Sequence, residues 1–418
     1  MNPCSVAVIG GGPAGLFCAL RAAGSGRRVI VLEKKASPGR KLLLSGSGQC
    51  NLTHDGDIGS FLSRYGDNGG FLKPALMNFG NRDLIAFFEE RGVPTAVESD
   101  GKVFPASRKA ADVLNALTAA CSASGVEIRS GDPVVEIAIH SGRFLVRTDG
   151  TSYAADRTVI ATGGITYPAT GSTGGGYAMA RGLGHRVTET GPALCAVQIK
   201  DHPFSDLAGI SFRDRTISIL RDGRRVRRHT GDLLFTHAGL SGPGILDFSR
   251  FIRAGDTLEI SFLPDFTPET IEEALLGWIT EAGQRKIGTI LAAHDLPERF
   301  AHKLLAAAGL DPDSTGAHLT KTDRAALIKL LTGWPLAVSQ LGSIHEAMIT
   351  RGGVTLDEVN PKTMESRLVP RLFFVGEVLD IDGDTGGYNL QAAFSTAALA
   401  AKRIAGTAIA PGPGAGLQ

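Results

Sequence analysis

An α/β fold with a discontinuous nucleotide-binding domain is the class that this 418-residue sequence predicts, on three observations. The N-terminal run Val6-Ala7-Val8-Ile9 leads directly into Gly10-Gly11-Gly12-Pro13-Ala14-Gly15. The middle of the chain changes texture, first to β-branched runs and then to helix-period Leu, Ile and Ala. The strand-glycine-helix pattern of the start then returns at Leu372-Phe373-Phe374-Val375-Gly376-Glu377 and Gly386-Gly387-Tyr388-Asn389-Leu390-Gln391. A chain of this length exceeds what one hydrophobic core usually supports, so several domains are expected.

The first element is an apolar strand ending at Gly10, followed by a helix over Leu16 to Ala23. The spacing G-x-G-x-x-G falls on Gly10, Gly12 and Gly15, so main-chain N–H groups at the helix start face a pyrophosphate, and a Cβ there would block its approach. A second apolar run, Val29-Ile30-Val31-Leu32, is closed by Glu33. An acid at that place accepts hydrogen bonds from ribose hydroxyls, and its charge argues against a 2′-phosphate, so FAD or NAD fits better than NADP. This makes the domain Rossmann-like.

Helices are expected near Asn81 to Gly92 and Lys109 to Ser124, with strands near Val126, Val134 and Phe144, a parallel sheet with a small antiparallel addition. The strand Arg157 to Thr162 runs into Gly163-Gly164, and a second glycine cluster follows at Gly171 to Gly176; both read as backbone approaching a ligand. Runs such as Thr216-Ile217-Ser218-Ile219-Leu220 predict a β-rich insertion, and Pro268 to Ala282, Arg299 to Ala308 and Lys321 to Thr332 predict a small helical subdomain within it. The partition expected is a nucleotide-binding domain over 1–190 and 351–410, a β-rich domain over 191–266 and 335–350, a helical subdomain over 267–334, and a disordered Gly-Pro tail over 411–418.

With 43 basic and 42 acidic residues the formal net charge is +1, so no global field recruits nucleic acid or an anionic membrane. The basic run Arg221 to Arg228 reads as a solvated hairpin around Asp222-Gly223, with a polyanion site as the alternative. Five scattered cysteines without a C-x-x-C pair argue against a disulfide framework, a zinc site and a dithiol centre, and no His-Glu spacing suggests another metal. No leader segment and no membrane-spanning apolar run are apparent, so a soluble, cytoplasmic protein without nucleic-acid or membrane partners is expected. Oligomeric state is not legible.

Several separated motifs agree. They are Gly10 to Gly15, Gly39-Arg40-Lys41 with Ser45-Gly46-Ser47-Gly48-Gln49-Cys50-Asn51, Val103-Phe104-Pro105, Ala161 to Gly164 with Tyr167-Pro168, Gly171 to Gly174, Leu234 to His237 with Gly239 to Pro243, Gly352-Gly353-Val354, and Gly376 to Phe394. In these the chain resembles the bacterial predicted-flavoprotein family whose members are often labelled aminoacetone-oxidase-like, within the glutathione-reductase-type FAD superfamily. Gln49 and Gly175 depart from the pattern, which usually has an arginine and an acid there. The resemblance implies an FAD-binding Rossmann-like domain, a β-rich domain and a helical insert; with no flavin-linking motif recognised, noncovalent FAD is the default expectation.

It also implies roles. Gly10, Gly12, Pro13, Ala14 and Gly15 hold the pyrophosphate, Glu33 the adenosine ribose, and Lys34, Arg40 and Lys41 pass nearby. Ser45, Gly46, Gly48, Asn51, Val134, Thr162, Gly163 and Gly164 complete the cofactor set. Gly376-Glu377 meets the ribityl chain, with Asp380 or Asp382 as rival carboxylates, and the helix from Gly387, Tyr388, Asn389 and Leu390 points its positive end at the flavin pyrimidine edge. Cys50, His237, Tyr167 and Tyr388 are the candidate catalytic residues, each with a plain packing role as the alternative. No second G-x-G-x-x-G follows a strand, so NAD(P)H is expected at most as a transient electron donor. The activity implied is FAD-dependent oxidoreduction of a small molecule bound between the nucleotide and inserted domains, by an amine-type oxidase or an NAD(P)H-driven enone reductase. The alternative is a non-catalytic FAD-binding redox sensor.

Overall fold

The computed structural model describes residues 2–24 and 26–406; the tail expected to be disordered lies outside them. Two compact units emerge, Met1–Ala193 with Ile344–Gln418, and Leu194–Ser343. The boundaries expected at 190 and 351 thus fall at 193 and 344. We call them the sheet unit and the barrel unit.

In the sheet unit, β1 (Asn2–Ile9) is followed by α1 (Pro13–Ala22) and β2 (Val29–Glu33). Helix α1 begins three residues before its expected start because Pro13 occupies a first-turn position, where a missing N–H costs nothing. A small sheet of β3 (Thr53–His54), β4 (Thr95–Val97) and β5 (Lys102–Pro105) is interleaved with α2 (Gly69–Asn78) and α3 (Asn81–Glu89). Then come α4 (Ala110–Ala123), β6 (Glu127–Ser130), β7 (Val134–His140), β8 (Arg143–Thr148), β9 (Ser152–Ile160), α5 (Gly175–Gly182) and β10 (Gly191–Ala193).

The main sheet runs β6-β2-β1-β9-β8-β7, with the first four strands parallel and the β8–β9 and β7–β8 pairs antiparallel. The stretches that face one another at its centre, residues 6–9, 29–32 and 158–160, are buried throughout, as parallel strands covered on both faces require. Ile9 stands beside Leu32 on one side and Ile160 on the other, so the loops after β1, β2 and β9 leave the same edge. In open α/β sheets that edge is where ligands bind.

The barrel unit contains β11 (Val197–Ile199), β12 (Ser211–Arg221), β13 (Arg224–Phe235), β14 (Gly239–Ser241), α6 (Pro243–Phe248), β15 (Thr257–Ser261), helices α7 (Pro268–Ala282), α8 (Ile287–Ala292), α9 (Glu298–Ala307) and α10 (Lys321–Gly333), and β16 (Trp334–Leu341). The strands close into a barrel in the order β11-β14-β13-β12-β15-β16, which leaves no open edge among them. Helices α7 to α10 share one core with the barrel rather than standing as a third unit: Phe300 of α9 lies 4.4 Å from Phe262 and 5.0 Å from Phe212, ring centre to ring centre.

The chain re-enters the sheet unit through β17 (Ile349–Arg351), which pairs with β10. Strand β18 (Leu372–Phe374) adds to β9 in parallel, and α11 (Tyr388–Ala405) follows. Helix α11 is buried along most of its length, and Phe394 packs edge-on against Phe17 of α1 with centroids 5.2 Å apart. The returning motif is therefore built into the core of the first.

Candidate functional site

The glycine loop is shaped by two opposite packing demands. A Cβ on Gly15 would run into the Gly10 carbonyl oxygen, so this position is closed by the protein itself. A Cβ on Gly12 would meet nothing within 4 Å. Gly12 nevertheless opens α1, at the helix end whose free N–H groups attract an anion, so the space left there fits a pyrophosphate. Glu33 is held against this loop, accepting hydrogen bonds from Gly11 N (2.8 Å) and Lys35 N (2.8 Å) through its two oxygens. Each oxygen keeps acceptor capacity for a hydroxyl.

Asp132 N donates to the Glu33 carbonyl (3.1 Å) and Gly131 N to that of Lys35 (2.8 Å), which carries the start of β7, and with it Val134, beside Glu33. Lys34 Nζ donates to Thr173 Oγ1 at 2.6 Å, and partial burial lowers the affinity of its amine for a proton. The second glycine cluster thus packs on Lys34 and Lys35. Gly175, one departure from the family pattern, opens α5 with no neighbour within 4 Å of a Cβ. Arg40 is exposed and forms no ion pair among the described residues.

Three segments distant in sequence converge on one carboxylate. Lys41 Nζ lies 3.0 and 2.9 Å from the two Glu377 oxygens and 2.8 Å from Thr166 Oγ1. Glu377 Oε1 also accepts from Thr350 N at 2.9 Å. Gly164 lacks a side chain because one would strike the Thr350 hydroxyl and come within 2.9 Å of Glu377. The pair is only partly screened by solvent, with side-chain exposures of 24 % for Lys41 and 22 % for Glu377. The Lys41 ammonium is therefore committed to Glu377. Of the rival carboxylates, Asp380 accepts from Thr188 Oγ1 (3.0 Å) and is pushed up by burial, while Asp382 is half-buried.

The Ser45 to Asn51 loop is tied down from inside. Ser45 Oγ donates to Leu42 O (2.7 Å) and Cys50 N to Ser45 O (2.9 Å). With the Asn51 amide oxygen toward Gly387, it accepts from Gly387 N at 3.1 Å, while its nitrogen donates to Thr53 O at 3.0 Å. Gly387 has φ +94° and a Cβ there would come within 2.5 Å of the Thr53 backbone, so only glycine lets α11 start so close to β3. Gly376, ahead of α11, sits against Ala14 of α1. The Asn389 side chain accepts from Gly383 N (2.8 Å) and donates to Gly383 O (2.9 Å), so what Asn389 can offer a ligand is its backbone.

The four catalytic candidates differ in exposure and surroundings. Cys50 is fully buried and desolvation pushes its thiol up to about 12, so it stays protonated and sealed from solvent. Tyr388 is 4 % exposed, stacked on His54 (5.2 Å) and edge-on to Phe61 (5.0 Å). His237 is an exposed turn residue of the barrel unit. Tyr167 alone is half-exposed and follows Thr166 of the Lys41–Glu377 cluster; its hydroxyl donates to Glu346 O at 3.4 Å. Sequence reasoning missed Thr166 and Thr350 as partners of Glu377. Their only signals were their places beside Gly163-Gly164 and Gly352-Gly353. Among the described residues no group of three or more His, Cys, Asp or Glu is placed to hold a metal ion, and no helix is long and apolar enough to cross a membrane.

An anion-ready glycine loop, a ribose-ready carboxylate and a late helix built into the same edge describe a dinucleotide site. Comparison with known proteins identifies which kind: the HI0933-like protein Rossmann domain family matches residues 4–403. This chain belongs to that family. The HI0933-like chain is an FAD-dependent oxidoreductase, and the non-catalytic sensor reading is set aside. It is 31 % identical over 409 residues to a 3-dehydro-bile acid delta(4,6)-reductase of Clostridium scindens, covering 96 % of this chain and 98 % of that one. It is 33 % identical over 394 residues to a ribosomal RNA dihydrouridine synthase of Escherichia coli, covering 93 % and 95 %. A 3-ketosteroid delta1-dehydrogenase of Sterolibacterium denitrificans shares the fold, with a TM-score of 0.52 over 97 % of this chain and 100 % of that chain at 12 % identity.

Proposed function

We propose that this FAD-dependent oxidoreductase is a reductase of a carbon–carbon double bond conjugated to a carbonyl, with NAD(P)H as the electron source, rather than an amine oxidase. One observation carries the reading: two relatives aligned over more than nine-tenths of this chain have names that differ in substrate and agree in chemistry. A 3-dehydro, delta(4,6) compound bears a ketone next to its double bonds. Uridine carries its C5–C6 double bond beside the C4 carbonyl, and dihydrouridine is the same ring with that bond saturated.

Bound FAD would supply hydride chemistry at N5. Glu33, the Gly10 to Gly15 loop and the Gly376-Glu377 turn are the residues we assign to holding it. The N-terminal turn of α11 offers backbone N–H groups and a positive dipole end to whatever negative charge develops beside it. Saturating the double bond takes one hydride at the β carbon and one proton at the α carbon, so an acid is needed. Tyr167 is our assignment for that proton, because it is the one unit-local candidate that is both half-exposed and next to the Lys41–Glu377 cluster. Lys41 positions Glu377 and holds its charge neutralised.

The test is an anaerobic titration of the yellow protein. NADH or NADPH should bleach the flavin band, and a conjugated enone should restore it one equivalent per flavin without oxygen. Bleaching by amines, with peroxide on admitting air, would replace this reading with the oxidase. The Tyr167→Phe variant should still be bleached by the nicotinamide but reoxidise at least tenfold more slowly with the enone, the loss expected for a general acid.

A further inference from the structure

We infer that the hairpin of β12 and β13 in the barrel unit is a docking strip for the phosphate backbone of RNA. Within 221–228 there are five arginines and one aspartate, a net +4 in a chain whose total is +1, so the rest of the molecule sums to −3. A near-neutral total thus conceals a local basic strip, which is why the absence of a global field did not exclude a nucleic-acid partner.

The hairpin is built to present this charge. Asp222 and Gly223 both have positive φ (51° and 74°), the two-residue turn whose twist matches paired strands. Residues 224–228 are exposed without interruption, whereas β12 opposite buries Ile217 and Ile219 in the barrel. Two carboxylates anchor the base of the strip and lower its net charge from +4 to +2. Asp256 takes Arg221 at 2.8 Å, and Glu259 takes Arg225 at 2.7 Å. Arg227 lies over the Phe251 ring at 3.9 Å. Arg224 and Arg228 form no ion pair among the described residues.

Three features favour RNA over other polyanions. Every cation of the run is arginine, whose planar fork grips phosphate oxygens in pairs and stacks on bases, where lysine gives a point charge. Arg224 and Arg228 lie four strand residues apart, roughly 13 Å or about two phosphate steps of an extended strand, with the ladder shifted by one residue at Val226 between them. A membrane surface would call for apolar side chains among the charges, and Val226 is the one large exposed hydrophobic residue of the strip. The inference rests on the reductase reading in that the conjugated double bond is then that of a uracil within an RNA, the substrate named for the Escherichia coli relative.

The experiment is filter binding of the full-length, FAD-loaded protein to an unmodified ribosomal RNA transcript across a salt series, for the wild type and Arg224→Glu/Arg228→Glu. Removing two phosphate contacts should weaken binding at least tenfold and flatten the log–log salt slope by roughly 1.5. Flavin content, melting temperature and NADPH-driven bleaching should not change, and Arg224→Lys/Arg228→Lys, which keeps the charge but loses the fork, should bind between the wild type and the charge-reversed protein with the wild-type salt slope. Wild-type affinity in the charge-reversed protein overturns the inference. So does binding to phosphatidylglycerol vesicles or to an acidic protein without binding to RNA. Bleaching and enone reoxidation are measured without RNA, so failure of the reductase reading is seen separately.

Discussion

In the barrel unit the rings of Phe204, Phe212, Phe235, Phe262 and Phe300 fill the interior, with centroids 4.4 to 6.2 Å apart. At the carboxyl edge of the main sheet side chains are withheld instead: Gly10, Gly12 and Gly15 at one strand end, Gly163 and Gly164 at another. The barrel spends its apolar volume on its own closure, and the sheet edge leaves volume and backbone N–H groups to a ligand. Stability therefore belongs mainly to the first kind of packing and cofactor affinity to the second.

The hardest strike on that distinction is Gly15→Ala. Its Cβ collides with Gly10 inside the protein, so both flavin content and the melting temperature of the sheet unit should fall, flavin to nearly nothing. Gly12→Ala should separate the two effects: the flavin-to-protein absorbance ratio drops, while the apoprotein melts within about 0.5 kcal/mol of wild type. A large loss of apoprotein stability there would show that the open space is structural.

In the barrel, Phe300→Ala removes a fully buried ring and should cost about 3–5 kcal/mol in denaturant unfolding, with no change in flavin bound per folded molecule. Glu33→Ala should reverse that pattern. Losing the acceptor of a ribose diol costs about 1–3 kcal/mol of FAD affinity, read by fluorescence on reconstitution, with little change in unfolding. Unchanged FAD affinity would remove Glu33 from the site.

The smallest effect is a pH dependence. His185 is buried, its Nε2 2.8 Å from Ser366 Oγ and its Nδ1 3.2 Å from Glu358, and burial lowers its pKa below 6.5. The unfolded chain takes up a proton that the folded one resists, so the sheet unit loses stability as pH falls through 6.5. His202 in the barrel is lowered for the same reason. Melts at pH 7.5 and 5.5 should converge for His185→Gln more than for wild type; an unchanged pH dependence in both His185→Gln and His202→Gln would put the acid sensitivity elsewhere.

Local patterns made part of this legible. The glycine spacing at Gly10 to Gly15 and the apolar run closed by Glu33 lie within 24 residues, and both carry their geometry in the backbone. Helices α7 and α10 announce themselves by threonine caps and apolar period. The ion pair of Lys41 with Glu377 spans 336 positions, and no local signal distinguishes that lysine from Lys34 or Arg40. Barrel closure depends on β11 and β14, each three residues long and too short to show alternation.

What the amino-acid sequence by itself determined was a parallel sheet, a dinucleotide loop and a late helix of the same domain, because steric rules on glycine and the periods of strand and helix act between near neighbours. Only the tertiary structure decided that Lys41 neutralises Glu377, that Cys50 and Tyr388 are sealed in the core, and that Asp256 and Glu259 take Arg221 and Arg225 while Arg224 and Arg228 stay exposed. Those outcomes depend on which distant side chains share a volume and which are left in water, and that is set by packing.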